Sequence, residues 1–405
     1  MLMTVLVVIV LAAYIVEALL DQLNQSRARD PLDASISNLY DRNERERSIA
    51  YSAEKTRFGF YSSTFSTIIM ILALTYGWFA TLDNWVRDRF DNEIVISLGF
   101  IAALSIISWW LNLPFQLYSI FGVEAKYGFN KITAKTFITD TIKSTILGSV
   151  IGGLLLTAVL WIYQELGNKF WIFAWLLVGG FSLIMFMFGT TLILPFFNKL
   201  KPVEQGELRE AIEKYCASQG YSLGRLFVMD GSKRSTKANA FFSGMGRSKT
   251  IVLFDTLIEK LSTKEIVAVL AHEIGHYKKK HTLSIFIFSN IQTFGTFAIL
   301  GWLLGYPELS TALGAKESSF HLSALTFFIL FTPLNMVLGL INNSWSRHNE
   351  FEADTFAKQT NDSGALKNAL KKISTDSLAN LSPHPLYVAF NYTHPPLAQR
   401  LKNLE

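Results

Sequence analysis

Residues 262–304 read STKEIVAVLAHEIGHYKKKHTLSIFIFSNIQTFGTFAILGWLL, and two unlike segments meet inside this stretch. From Ser262 to Lys280, apolar residues (Ile266, Val267, Val269, Leu270, Ile274) recur at helical spacing among charged ones. Ser262 or Thr263 followed by Glu265 is a capping-box start for that helix. From Thr282 to Leu304 there is no charge at all, and the run is long enough, at about 20 residues, to cross a bilayer. A polar helix bearing histidines therefore leads almost directly into a membrane span.

Outward from this junction, six more apolar stretches of spanning length occur at 1–20, 62–82, 94–115, 142–164, 170–194 and 322–343. Lipid offers the backbone no hydrogen bonds, so each must be helical. Half of the 405 residues are hydrophobic and 17% are charged, where a soluble domain carries about a quarter charged. The chain is predicted to be a mainly α, polytopic membrane protein with about seven transmembrane helices. The first stretch lacks a basic flank and a small-residue cleavage site, so it is expected to stay as a span.

Lysine and arginine orient the spans. An odd number of crossings leaves only Arg87, Arg89, Lys169 and Lys316 on one face, and the other 33 of the 37 basic residues lie on the opposite side. Counting short loops alone, the bias is 11 against 4, so the polar segments are expected in the cytoplasm. The net charge of +5 is spread between spans rather than gathered in a tract, which argues against nucleic acid. One cysteine, Cys216, excludes an internal disulfide.

Four segments follow: 1–197 with five spans, 198–281 as a polar domain, 282–343 with two spans, and 344–405 as a second polar part. Within 198–281, Val203–Gln219 has helical spacing with a stop at Gly220, and Arg225–Met229 reads as a strand. Lys237–Ser243 and Lys249–Phe254 read as a hairpin across Gly244-Met245-Gly246-Arg247.

The motif His272-Glu273-Ile274-Gly275-His276 puts two imidazoles one helical turn apart, close enough to share a metal ion. Glu273 is rotated about 100° from His272, where it reaches a water held at the same ion rather than the ion itself. Nitrogen and carboxylate ligands with one open position suit Zn2+, one per chain. A third ligand is needed. Glu350-Phe351-Glu352-Ala353-Asp354 offers Glu350 as ligand and Asp354, one turn on, as the partner of a ligand histidine's free N–H. Glu352 competes for the ligand role, and a solvated acidic helix start is the bland reading. His281, His321, His348 and His384 are expected at the surface or an interface.

These motifs, with Thr393-His394-Pro395-Pro396 and Arg400, resemble the zinc-dependent type I CAAX prenyl protease family. Glu124–Lys131 (EAKYGFNK), Ala238–Phe242 and Ile251–Leu257 are similar to the same family, so the likeness runs from about residue 40 to the C-terminus. The resemblance implies a metalloendopeptidase with His272, His276 and Glu350 on zinc and Glu273 as the catalytic base. It also implies that Asp354 acts beside the ligands, that His394 steadies the oxyanion, and that Arg400 lines the site and pairs with Asp354. Its fold would be a ring of seven helices around a chamber, closed by the protease domain. Substrates would be peptides or membrane proteins, prenylated or not, cleaved near the C-terminus. Asn239, Ala240 and Phe241 are expected to receive substrate as an added strand, or else to be an ordinary core hairpin. The compact loops point to a bacterial inner membrane, with the endoplasmic reticulum as the equivalent in a eukaryote. Two other readings are a heat-shock-type quality-control metalloprotease, disfavoured by seven spans, and a non-catalytic scaffold with a zinc site, disfavoured by Glu273.

Overall fold

The computed structural model describes residues 1–243 and 250–405; the expected turn at 244–247 lies outside them. Among the described residues, seven helices are long and apolar enough to cross a membrane. The N-terminal part comprises α1 (Leu2–Ser26), α2 (Arg42–Thr75), the short α3 (Trp78–Arg87), α4 (Glu93–Leu117), α5 (Ala134–Leu166), α6 (Phe170–Leu192) and the brief α7 (Leu194–Phe197). A π-helical stretch, Tyr118–Glu124, continues α4.

The expected span at 62–82 lies in a longer helix and is cut short at its C-terminal end. An Asp41–Glu44 capping box starts α2 at Arg42, far ahead of the apolar run. Gly77, at φ +66°, then turns the chain into α3, so residues 78–82 belong to a separate helix.

The polar domain is built from β1 (Leu200–Pro202), α8 (Glu207–Ser218), β2 (Arg225–Met229), β3 (Ala240–Ser243), β4 (Thr250–Phe254), α9 (Asp255–Lys260) and α10 (Thr263–Lys278). The sheet order is β1-β2-β4-β3. The hairpin pair β3–β4 is antiparallel, with Ala240 opposite Leu253 and Phe241 opposite Val252, and it leaves β3 at the edge. β2 and β4 run parallel. The three-residue β1 exists only through its pairing with β2 and was not visible in the sequence pattern.

After α10 come α11 (His281–Leu303), α12 (Glu308–Thr311), α13 (Phe320–Thr360), α14 (Ser363–Asp376), α15 (Pro385–Asn391) and α16 (Leu397–Asn403). With 41 residues, α13 carries the last span and the acidic EFEAD segment on one continuous rod.

The spanning helices close a ring in the order α1, α2, α4, α5, α6, α11, α13 and back to α1, with α2 joined to α4 through α3, the π-helical stretch and the packing of Phe58 and Phe65 on Phe115. Two buried clusters knit it at the end away from the polar domain. One joins Leu6, Leu74, Phe79, Phe100 and Leu322; the other joins Val159, Phe170, Leu300 and Phe327. In α11 no residue between His281 and Leu300 is buried, and in α6 none beyond Ala174. The helices meet at their ends while their middles carry no packed core.

The core of the polar domain wraps α10. Ile266, Leu270, Ala271 and Ile274 pack against Ile212 and Cys216 of α8, Ile251 and Leu253 of β4, and Leu366 of α14. The helix opens on a complete capping box, Ser262 with Glu265. Burying one such side chain contributes about 1.5–3 kcal/mol, so the metal-type histidines ride on a firmly held helix.

Candidate metal centre

α10 and α13 cross where Gly275 faces Ala353. A Cβ at position 275 would lie 3.1 Å from both the Cα and the carbonyl oxygen of Ala353 and 3.2 Å from Phe356 Cβ. Any larger residue would require the neighbouring backbone to give by a few tenths of an ångström, so glycine favours this close approach of α13, at which Glu350 reaches the histidines.

His272 Nε2 lies 3.1 Å from His276 Nε2 and 3.3 Å from Glu350 Oε2, and His276 Nε2 is 3.2 Å from Glu350 Oε1. A tetrahedral ion with bonds of 2.0–2.1 Å sets its ligand atoms about 3.3–3.4 Å apart. The three donors match that spacing. Glu350 Oε2 is buried and makes no hydrogen bond among the described residues, although Arg400 Nη1 stands 3.4 Å away. A buried carboxylate oxygen without a donor is costly in an apolar surround and fitting for a cation. The donor set of two nitrogens and a carboxylate thus fits zinc.

Behind the donors sits a charged clamp. His272 Nδ1 is 2.8 Å from Asp354 Oδ1. Arg400 grips the same carboxylate with two bonds, Nε to Oδ2 at 2.9 Å and Nη2 to Oδ1 at 2.6 Å. Burial and the Arg400 charge work against a proton on His272, yet Asp354 and Glu350 outweigh them and lift its pKa to about 9. The pair of carboxylates draws positive charge to this spot. Burial likewise opposes the Arg400 charge, and Asp354, Glu350 and Glu273 more than restore it.

Of the remaining residues singled out in the sequence, His394 and Arg400 touch this cluster. Glu273 is half-buried on α10 between the two histidines. His394 Nε2 approaches Glu350 Oε1 to 3.4 Å, and the exposed His394 ring has its Nδ1 held by Thr393 Oγ1 at 2.9 Å. Arg400 is only 9% exposed and engaged with the carboxylates of Asp354 and Glu350. Asn239 is exposed and Ala240 half-buried at the edge strand, and Phe241 packs on Phe254. Lys237, just before this strand, binds Glu124 Oε2 and the Tyr51 hydroxyl at 3.0 Å each, tying the strand's approach to α2 and the π-helical stretch.

His281 and His321, expected at the surface or an interface, are both buried at 3% exposure. His281 lies against His276, and His321 is locked between Asp83 and Ser97 far from the metal-type donors. Glu352, the rival for the third ligand position, points to His281 Nε2 at 2.9 Å instead of to the centre. Sequence reasoning missed the role of His281, although its place five residues after His276 was the available signal.

A hydrolytic metal helix joined to a ring of membrane helices is the layout of an integral-membrane metallopeptidase, and that is the class of protein this chain represents. Residues 22–199 match the CAAX prenyl protease N-terminal domain of five membrane helices, and residues 202–405 match peptidase family M48. A CAAX prenyl protease 1 homolog of Arabidopsis thaliana is 36% identical over 402 residues, covering 97% of this chain and 95% of the relative. CAAX prenyl protease 1 of Saccharomyces cerevisiae is 33% identical, covering 88% and 84%. The crystal structure of S. mikatae Ste24p superposes with a TM-score of 0.96 at 32% identity, over 100% of this chain and 99% of that one. The chain belongs to the CAAX prenyl protease branch of peptidase family M48, and it is a multi-pass membrane metalloprotease.

Proposed function

We propose that this metalloprotease is a zinc endopeptidase that cleaves prenylated peptides near their C-termini, with His272, His276 and Glu350 as the zinc ligands. The observation that carries the reading is the convergence of those three side chains at tetrahedral spacing, with Glu273 between the histidines. Bound zinc would supply Lewis-acid polarisation of the scissile carbonyl and acidify a water molecule.

The chain's own residues do the rest. Glu273 takes the proton of the attacking water and returns it to the leaving amine. His394, beside Glu350, donates a hydrogen bond to the oxyanion that develops on the carbonyl. Asp354 holds His272 through Nδ1, and Arg400 holds Asp354. The outer edge of β3, at Asn239, Ala240 and Phe241, receives substrate as an extended strand through backbone hydrogen bonds. The excess of basic residues in the loops supports a site on the cytoplasmic face, of the endoplasmic reticulum in a eukaryotic cell or of the inner membrane in a bacterium.

The test is mass spectrometry of products from a farnesylated and an unmodified peptide, with zinc measured in the same samples. The wild type should cut the farnesylated peptide, and Glu273→Gln should lose turnover by at least about 10²-fold while keeping stoichiometric zinc. Substantial residual turnover would remove Glu273 as the base. Glu350→Ala should lose zinc and activity together, and retained stoichiometric zinc would remove it from the ligand set.

A further inference from the structure

We propose that His281 and Glu352 form a relay that sets the tautomer and orientation of His276. The proposal rests on the reading that His276 binds the ion, and it concerns residues outside the ligand set.

His276 turns Nε2 toward the other donors, so Nδ1 is its outward nitrogen. That Nδ1 lies 3.0 Å from Nδ1 of His281, with the rings edge to face at 74°. Two imidazole nitrogens at this distance must share one hydrogen, and the rest of the cluster decides which of them carries it. His281 Nε2 is 2.9 Å from Glu352 Oε2. A carboxylate only accepts, so His281 carries its hydrogen on Nε2 and presents a bare Nδ1. That bare nitrogen accepts the N–H of His276 Nδ1. The lone pair of His276 Nε2 is thereby left facing the centre, the only tautomer in which it ligates a cation.

The arrangement is held from three sides. Lys280, at φ +59°, reverses the chain between α10 and α11 and brings His281, the first residue of α11, back beneath His276. The side chain of His281 is 4% exposed, so water has little room to replace it as the acceptor. All three carboxylates of the EFEAD segment are then employed. Glu350 faces the centre, Asp354 holds His272 directly, and Glu352 holds His276 through the intervening imidazole.

His281 is a positioning residue, and its loss should loosen the ion before it alters chemistry. Outer partners of metal-bound histidines affect metal affinity by about 10- to 100-fold. The experiment uses the full chain purified in detergent and loaded with zinc, and follows zinc release to a chelator. The cobalt-substituted visible spectrum serves as a second readout. His281→Ala should speed zinc release by about 10- to 100-fold and shift the cobalt spectrum. His281→Asn, whose amide oxygen can stand where Nδ1 stood, should recover most of the wild-type rate. Glu352→Ala, which leaves no acceptor for His281 Nε2, should speed release in the wild type but add nothing in the His281→Ala background, since the two act in series.

Wild-type release from folded His281→Ala would overturn the relay. So would equal impairment of the His281→Ala and His281→Asn variants, or an equal effect of Glu352→Ala in both backgrounds. If His281→Ala does not fold, Glu352→Ala decides the matter, and wild-type release from it overturns the relay. A wild type that takes up no stoichiometric zinc would overturn the metal centre itself, a different result from a loaded wild type indifferent to position 281.

Discussion

Each ligand histidine depends on what stands behind it. His272 leans on Asp354, and Asp354 is neutralised by the two-pronged grip of Arg400, with little water to screen the group. Removing Arg400 would leave buried carboxylates without their cation. Breaking such a pair from one side typically costs about 3–5 kcal/mol. Arg400→Ala should therefore lower the thermal midpoint markedly, and Arg400→Lys should not restore it, because an ammonium cannot match both carboxylate oxygens at once. Differential scanning measurements on the two variants check this, and a lysine variant as stable as the wild type would show that charge alone matters.

Among the elements, the pairing of α10 with α13 decides the site. α10 carries both histidines, α13 carries all three carboxylates, and Gly275 against Ala353 fixes how near they come. The neighbour at 3.1 Å is helix backbone rather than the tip of a flexible side chain, so an added methyl cannot be absorbed by a rotamer change. Gly275→Ala should destabilise the chain by about 1–3 kcal/mol, the usual cost of overpacking. It should also push Glu350 outward, and zinc should be released faster in the folded variant. Chelator-release rates beside a melting curve test this; unchanged release with lowered stability would mean that α13 yields elsewhere.

For the whole molecule, the two ends of the ring have separate jobs. The end away from the metal centre is tied by a buried network: Ser97 Oγ lies 3.0 Å from His321 Nδ1, His321 Nε2 lies 2.8 Å from Asp83 Oδ1, and Arg87 closes on Asp83 at 3.1 Å. This joins α3, α4 and α13. Serine, histidine and aspartate sit in line here, but all three are buried, so no substrate reaches the serine. The network is structural. His321→Ala should cost about 3 kcal/mol, the lower end for a broken buried pair because Arg87 still faces Asp83. The folded variant should keep its zinc and its turnover per molecule. Loss of zinc from folded protein would show instead that α13 transmits strain from one end to the other.

Seven apolar runs and the spacing of His272 and His276 were plain in the linear order, because hydrophobic periodicity and the pitch of a helix are local properties. The capping box at Ser262 and the β3–β4 pairing were legible for the same reason. What the chain order left undecided was the choice between Glu350 and Glu352, two residues apart on one helix. Only the angle and distance at which α13 meets α10, set by Gly275 and Ala353, turns one carboxylate to the metal-type donors and the other to His281. The burial of His281 was equally hidden, since it hangs on a single left-handed residue, Lys280, which no periodicity signals. The break of the second span at Gly77 is of the same kind. Local patterns name the groups that can bind, while contacts across some seventy residues of chain decide which of them face one another, because side-chain reach is a few ångströms and helix placement varies by more.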